Sequence, residues 1–176
     1  IVLAALTVLS TTLQQVFVAA LACWFTRAAG RDDFAIGLVA ALRPTPAFKE
    51  TIGPLASATA LWFRVEAGAT VQGLLATIRG EIDRTAPHQR FPLGELNRRI
   101  GLLHADRTRP FDVTLACVDG GDDLSFDGAP ATLRAIFPGH GLAGLHVHVE
   151  DLAGSSEIRV VFDGDAALIE RDDVLR

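Results

Sequence analysis

Between Thr70 and Arg84 the residues Val71, Leu74, Leu75, Ile78 and Ile82 recur at three- and four-residue spacing, the period of one helix face. The segments on either side do not share that period. Phe34 to Val39 and Thr59 to Val65 are short apolar runs that read as strands. The first is bounded by Gly30-Arg31-Asp32-Asp33 and by the turn region at Arg43-Pro44. A helix with one apolar face, placed among strands, has to bury that face against a sheet, so the chain must fold in α/β layers. Pro87 stops the helix, since it has no N–H to continue the ladder.

The remaining elements fill in the order. Thr11 or Thr12 caps a helix running to about Ala29, with Leu13, Val16, Phe17, Ala20, Leu21, Trp24 and Phe25 as its apolar stripe and Gly30 at its end. Residues 1–9 form a separate short helix or continue this one. Pro92 opens a short helix over Leu93–Leu102. Strands follow at Phe111–Val118, Leu124–Phe126, Thr132–Phe137, Leu142–Val149 and Ile158–Phe162, with a turn at Gly120-Gly121-Asp122-Asp123 and a terminal helix over Ala166–Leu175. The expected fold is α/β, a layered mixed sheet with flanking helices. It lacks the regular strand–helix alternation of a doubly wound sheet, and no glycine-rich nucleotide loop follows a strand.

Composition narrows the function classes. With 176 residues, 49% of them hydrophobic, the chain supports one domain with a sizeable core, or one half of a two-lobed protein. A formal charge of −5 argues against nucleic acid as a partner, and only Arg109 and the Arg98-Arg99 pair offer a local basic spot. The apolar stretch from Ile1 to Phe25 has the length of a membrane span. Ser10, Thr11, Thr12, Gln14 and Gln15 lie at its middle, where polar groups cost most, so no membrane span is expected. Cys23 and Cys117 each lie in an apolar run and read as buried thiols, which fits a cytoplasmic location. The first residue is Ile, inside a helical pattern and without a cap, as in a chain cut from a longer one.

Several polar groups invite a chemical reading. His146 and His148 alternate onto one side of their strand, ~6–7 Å apart by strand rise, with Glu150 on the same side and His140 near in sequence. Two imidazoles need a third ligand to hold a metal. Side-chain alternation alone produces the same pattern on an ordinary polar face, and no metal is expected. Asp32 and Asp33, and Asp163 and Asp165 around Gly164, read as turn residues.

Short matches in order carry a resemblance. Gly30-Arg31-Asp32-Asp33-Phe34-Ala35-Ile36-Gly37 resembles the "G-x-D-D-hydrophobic-x-x-G" strand of nonribosomal peptide synthetase condensation domains, and Ala41-Leu42-Arg43-Pro44 the "A-G-R" turn after it. Ile52-Gly53-Pro54-Leu55-Ala56-Ser57-Ala58, leading to Leu61 and Arg64, resembles "I-G-x-F-V-N-T…L-x-R". His88-Gln89-Arg90-Phe91-Pro92-Leu93 resembles "H-Q-D-x-P-F-E", and Pro110-Phe111-Asp112-Val113 resembles "P-L-F-x-V". The matches fall within residues 12–118, and strand order extends the likeness more weakly to 170.

The resemblance implies one lobe of a two-lobed domain, each lobe like chloramphenicol acetyltransferase, with residues 1–176 as the C-terminal lobe. It implies a reaction in which an amine on one carrier-bound arm attacks the thioester on another. The family's "H-H-x-x-x-D-G" motif is not in this sequence, so no catalytic residue is carried over. Arg43, Ser57, Arg64 and His88 are the candidates for contact with substrate or with the other lobe. The implied partners are a peptidyl or acyl carrier protein with its phosphopantetheine arm, an N-terminal lobe or other synthetase domains, and further copies in a homo-oligomer. No intrinsic cofactor is implied. Ser57 replaces the motif's Asn and Arg90 its Asp, departures that also suit a non-catalytic module binding a carrier or an enzyme. A stand-alone acetyltransferase trimer would need a His motif at a subunit boundary, and none is visible.

Overall fold

The computed structural model describes residues 6, 10–28, 30–66, 68–102, 110–120, 125–131, 144–152 and 157–170. Its elements run α1 (Leu13–Ala28), β1 (Asp33–Ala40), α2 (Pro46–Glu50), β2 (Ser57–Arg64), α3 (Val71–Thr85), a 3-10 turn (Ala86–His88), α4 (Leu93–Arg99), β3 (Val113–Gly120), β4 (Ser125–Phe126), β5 (Ala129–Pro130), β6 (Leu145–Leu152) and β7 (Ile158–Gly164). The main sheet has the order β2-β1-β3-β6-β7. Its outer pairs are antiparallel, and its inner pairs, β1 with β3 and β3 with β6, are parallel. It is the mixed sheet with flanking helices that the change of period demands.

Local chemistry sets the helix ends. Thr12 and Gln15 form a reciprocal capping box: Gln15 N donates to Thr12 Oγ1 and Thr12 N donates to Gln15 Oε1, each at 3.2 Å. Thr70 caps α3 by accepting from Gly73 N at 3.1 Å. Beyond the main sheet, β4 and β5 pair across Asp127-Gly128, both at positive φ, as a tight hairpin turn requires.

The core lies between α1, α3 and one face of the sheet. Ile36, Leu61, Ile78, Leu115, Val147 and Val149 are all essentially inaccessible. Each such side chain contributes roughly 1.5–3 kcal/mol by leaving water. The register puts Phe34 beside Phe63 and Ile36 beside Leu61, so the buried residues of adjacent strands share that face.

Some expectations are corrected. The stripe of α1 is turned from the expected one: Gln15, Val18, Ala19 and Ala22 are buried, whereas Ala20 and Trp24 are exposed. The helix is apolar on nearly every side, so spacing alone did not select its inner face. Val71 is exposed, because it is the first residue of α3, and buried Glu81 takes part in the inner face instead. The third sheet strand starts at Val113, and the Phe111 ring before it lies over Gly37. A Cβ on that glycine would come within 2.6 Å of the ring. Asp163 lies within β7, opposite His146, and only Asp165 turns the chain, accepting from Ala167 N at 3.0 Å. Residues 166–168 form a turn rather than the start of a helix, and 171–176 lie outside the described residues. The strand expected at Thr132–Phe137, the first residues of the one at Leu142–Val149, and most of 1–9 also lie outside them. Cys23 is exposed on α1 and Cys117 half-buried, so only one thiol is withdrawn from solvent. No helix among the described residues is long and apolar enough to cross a membrane.

Candidate functional site

Strand β2 is an edge strand of the sheet, and three clefts lie around it, α3 and the segments that follow β1 and α3. The first, about 270 Å³, is lined by Ala58, Thr59 and Ala60 of β2, by Thr85, His88 and Phe91, and by Leu93 and Leu96 of α4. The second, about 400 Å³, lies between Ala40–Pro44 and the segment Ala86–Arg90. The third, about 330 Å³, runs along Trp62, Phe63 and Arg64 and the facing side of α3.

These clefts separate the expected site residues. His88 lines the first, Arg43 the second and Arg64 the third, while Ser57 is a lining residue of none of them. Arg43 holds its own loop. Its guanidinium donates to the carbonyls of Phe48, at 2.6 Å, of Thr51, and of Gly53, at 2.9 Å. Those acceptors include the open end of α2, a five-residue helix that spacing did not reveal. Leu42, at φ +54°, makes the bend that brings Arg43 there. The side chain thus meets backbone carbonyls of its own loop.

The first cleft holds a group that sequence reasoning missed. Thr59 Oγ1 is buried and has no hydrogen-bond partner among the described residues. A buried hydroxyl without a partner costs about 1–3 kcal/mol, so it is a place for a ligand's polar atom. The other hydroxyl of the cleft, on Thr85, is engaged by the carbonyls of Glu81 and Ile82. Alternation along β2 puts Thr59 on the side of Ser57 and Leu61, and this spacing was the only available signal. Phe91 is held by Arg99, whose guanidinium carbon lies 5.4 Å from the ring centroid.

Glu95 anchors that arrangement. It accepts from Arg98 Nε and Nη2 at 2.9 and 2.8 Å and from Arg99 Nε at 2.8 Å, and these two arginines, Arg98 first, hold its carboxyl below the usual carboxylate range. The Arg98-Arg99 pair is thereby matched by an acid. At the third cleft, buried Glu81 accepts from Trp62 N at 3.1 Å, covering an outward N–H of the edge strand, and it also pairs with Arg84.

His146 and His148 project from one face of β6 with ring centroids 6.3 Å apart. His146 Nδ1 shares a hydrogen bond of 2.5 Å with Thr114 Oγ1, and Glu150 binds Arg159 at 3.1 Å. Among the described residues no group of three or more His, Cys, Asp or Glu is placed to hold a metal.

Residues 4–125 match a family model described as the condensation domain. The chain is 24% identical over 167 residues to a plipastatin synthase subunit of Bacillus subtilis (strain 168), covering 93% of this chain and 6% of that protein. It is 24% identical over 163 residues to a surfactin synthase subunit of the same organism, covering 90% of this chain and 4% of that one. A mutant starter condensation domain of rhizomide synthetase, crystallised with C8-CoA and Leu-SNAC, is 27% identical. It superimposes with a TM-score of 0.79 over 92% of this chain and 36% of its own. The chain therefore spans a small fraction of the curated relatives and about a third of one solved domain.

Proposed function

Because the chain belongs to the condensation domain family, we propose that it is the C-terminal lobe of such a domain and forms one wall of the passage in which carrier-bound acyl and aminoacyl thioesters are joined in nonribosomal peptide synthesis. The observation that carries this reading is the asymmetry of coverage: nearly the whole chain superimposes on a third of a solved starter condensation domain. The two-His motif is absent from residues 1–176, so the amine's activation falls to another lobe.

This chain contributes walls and hydrogen bonds. The cleft of Thr59 and His88 is mostly apolar, which suits the acyl or side-chain part of a substrate, and the unpartnered Thr59 Oγ1 is the candidate for one polar contact. Holding two reacting groups in line removes much of the entropic barrier of a bimolecular step, and a passage wall serves that purpose. The slender phosphopantetheine arm of a peptidyl or acyl carrier protein is the partner such clefts would receive.

The test is a condensation assay on the protein that contains this chain, with aminoacyl- and acyl-loaded carriers and amide product read by mass spectrometry. Thr59→Val keeps shape and removes the hydroxyl. It is expected to lower kcat/KM about tenfold, the equivalent of ~1.4 kcal/mol, without lowering the melting temperature. Amide formation that is unchanged in Thr59→Val and in His88→Ala removes this cleft from the passage. No amide formation from any loaded pair removes the reading itself.

A further inference from the structure

Strand β2 ends the sheet order, so only one of its edges is paired. In an antiparallel ladder alternate residues turn both backbone groups away from the partner strand. Trp62 N donates outward to Glu81, and this fixes the phase. Ala58, Ala60 and Arg64 also turn their N–H and C=O groups outward, while Thr59, Leu61 and Phe63 pair with β1. Val65 N, donating to Asp32 O at 2.8 Å, continues the inward set. Among the described residues the outward groups of Ala58, Ala60 and Arg64 meet no partner. Such a row is a template for a further strand, and proteins usually cover it. Here Glu81, paired with Arg84, stands where an incoming carbonyl would sit at Trp62 and covers no other outward N–H.

Two features say which strand the edge suits. Trp62 is 56% exposed, with Ala60 and Arg64 beside it on that face of β2 and Ala35 opposite it on β1, so its own sheet leaves the indole bare. An aromatic ring pairs well with a β-branched residue on a neighbouring strand. The cleft along Trp62–Arg64 is lined by two guanidiniums, Arg64 and Arg84, against one carboxylate, Glu81. Arg64 has no ion-pair partner among the described residues. At Gly80, which lines the same cleft from α3, an added Cβ would meet nothing within 4 Å.

We infer that the β2 edge receives an extended acidic segment of another polypeptide. The segment adds to the five-stranded sheet along Ala58–Arg64, sets a β-branched side chain against Trp62 and directs carboxylates toward Arg64 and Arg84. Main-chain hydrogen bonds hold a strand of this kind and alternate side chains select it. Glu81 guards the edge: the strand's carbonyl replaces it at Trp62 N, and it keeps Arg84. The inference does not rest on the condensation reading, and no carrier arm or acyl group takes part in it.

The probe is the peptide Glu-Glu-Val-Thr-Val-Thr, with an N-terminal fluorescein and a C-terminal amide, in register for an antiparallel strand opposite Thr59–Arg64. Its reverse serves for a parallel one. Each is titrated by anisotropy into the protein that contains this chain, with hydrogen exchange read residue by residue in mass spectrometry. Bound peptide is expected to slow exchange at Ala58, Ala60 and Arg64 at least about tenfold, and to leave the inward amides of Thr59, Leu61 and Phe63 as they were. Lysine in place of both glutamates, or N-methylation of the peptide amides that face β2, is expected to remove binding. Glu81→Ala is expected to tighten it several-fold. Gly80→Gln fills the cleft and favours the helix, so it is expected to raise the melting temperature while weakening the peptide several-fold. Ala60→Pro deletes an outward donor, which an edge strand tolerates, and is expected to abolish binding. The N-methylated peptide decides the matter if that variant does not fold. Unchanged exchange at the three outward amides with both peptides, or equal binding of the lysine or N-methylated forms, overturns the inference. Protection of those amides before peptide is added means that the edge is already taken, by a second copy where it grows with protein concentration, and overturns it as well.

Discussion

The two faces of the sheet are built from the same strands and differ in almost everything else. On the helix-covered face, Phe34, Ile36, Leu61, Phe63, Leu115, Val147 and Val149 are buried beneath α1 and α3. Many of the alternate positions are small or polar, among them Ala35 and Gly37, Ala58 and Ala60, Thr114 and Ala116, His146 and His148. Trp62, the neighbour of fully buried Leu61, is 56% exposed. One face stores the stability of the chain. On the other, the Phe111 ring packs directly against the backbone at Gly37.

The sharpest break of this comparison is a pair of substitutions one residue apart. Leu61→Ala leaves a cavity in the core and is expected to cost about 2–5 kcal/mol in urea unfolding. Trp62→Ala removes a larger side chain and is expected to cost roughly 0.5 kcal/mol or less, as for an exposed position. Similar costs for the two would mean that Trp62 is covered in solution and that the two faces are not distinct.

Gly37→Ala probes a tightly packed place on the second face. Its new methyl would meet the Phe111 ring at a distance that ordinary contacts never show. The cost is expected to be roughly 1–3 kcal/mol, as for other overpacked sites. In a Phe111→Leu background the same change is expected to cost measurably less, and a double-mutant cycle reads that coupling directly. Additive costs would show that the ring moves aside freely.

How much of this was legible in the sequence follows the same division. The strands at β1 and β2 and the helix α3 were readable because each has one clear period and, for α3, a capping Thr70 and a stopping Pro87. The inner face of α1 was not, since Ala20 and Trp24 are as apolar as the residues that are buried. Helix α2 is a single turn around Pro46, too short for any period to register. The clefts were least legible. A threonine in a strand is ordinary, and only the folded neighbourhood shows that Thr59 Oγ1 lacks a partner. Arg43 was singled out as a candidate contact, but its three carbonyl acceptors come from loop geometry that no motif encodes.

A smaller effect is expected on the second face at Thr114→Val. The hydroxyl shares a 2.5 Å hydrogen bond with His146 Nδ1 across the β3–β6 pair. Its loss is expected to cost about 1 kcal/mol, near the mean for a single hydrogen bond. Thermal unfolding of the variant beside His146→Ala would show whether the two act as one unit. A double variant as costly as the sum would mean that they do not.

The smallest expected effect at neutral pH concerns the thiols, and it separates interior from exterior most finely. Burial pushes the Cys117 thiol up from 9.0 to about 11, because desolvation penalises the thiolate. A group whose folded value is raised contributes stability below its unfolded value and loses it as pH rises through the folded one. Cys117 therefore leaves stability unchanged at neutral pH and subtracts from it between 9.0 and about 11. Cys117→Ser is expected to flatten that alkaline decline. Reactivity gives the independent reading, since the thiolate is the nucleophile. Exposed Cys23 is expected to be alkylated by iodoacetamide in the folded chain, and Cys117 only as the fold opens. Mass spectrometry of the two peptides over time reads both rates at once. Equal rates would place Cys117 within reach of solvent and would erase the distinction between a sealed face and an open one.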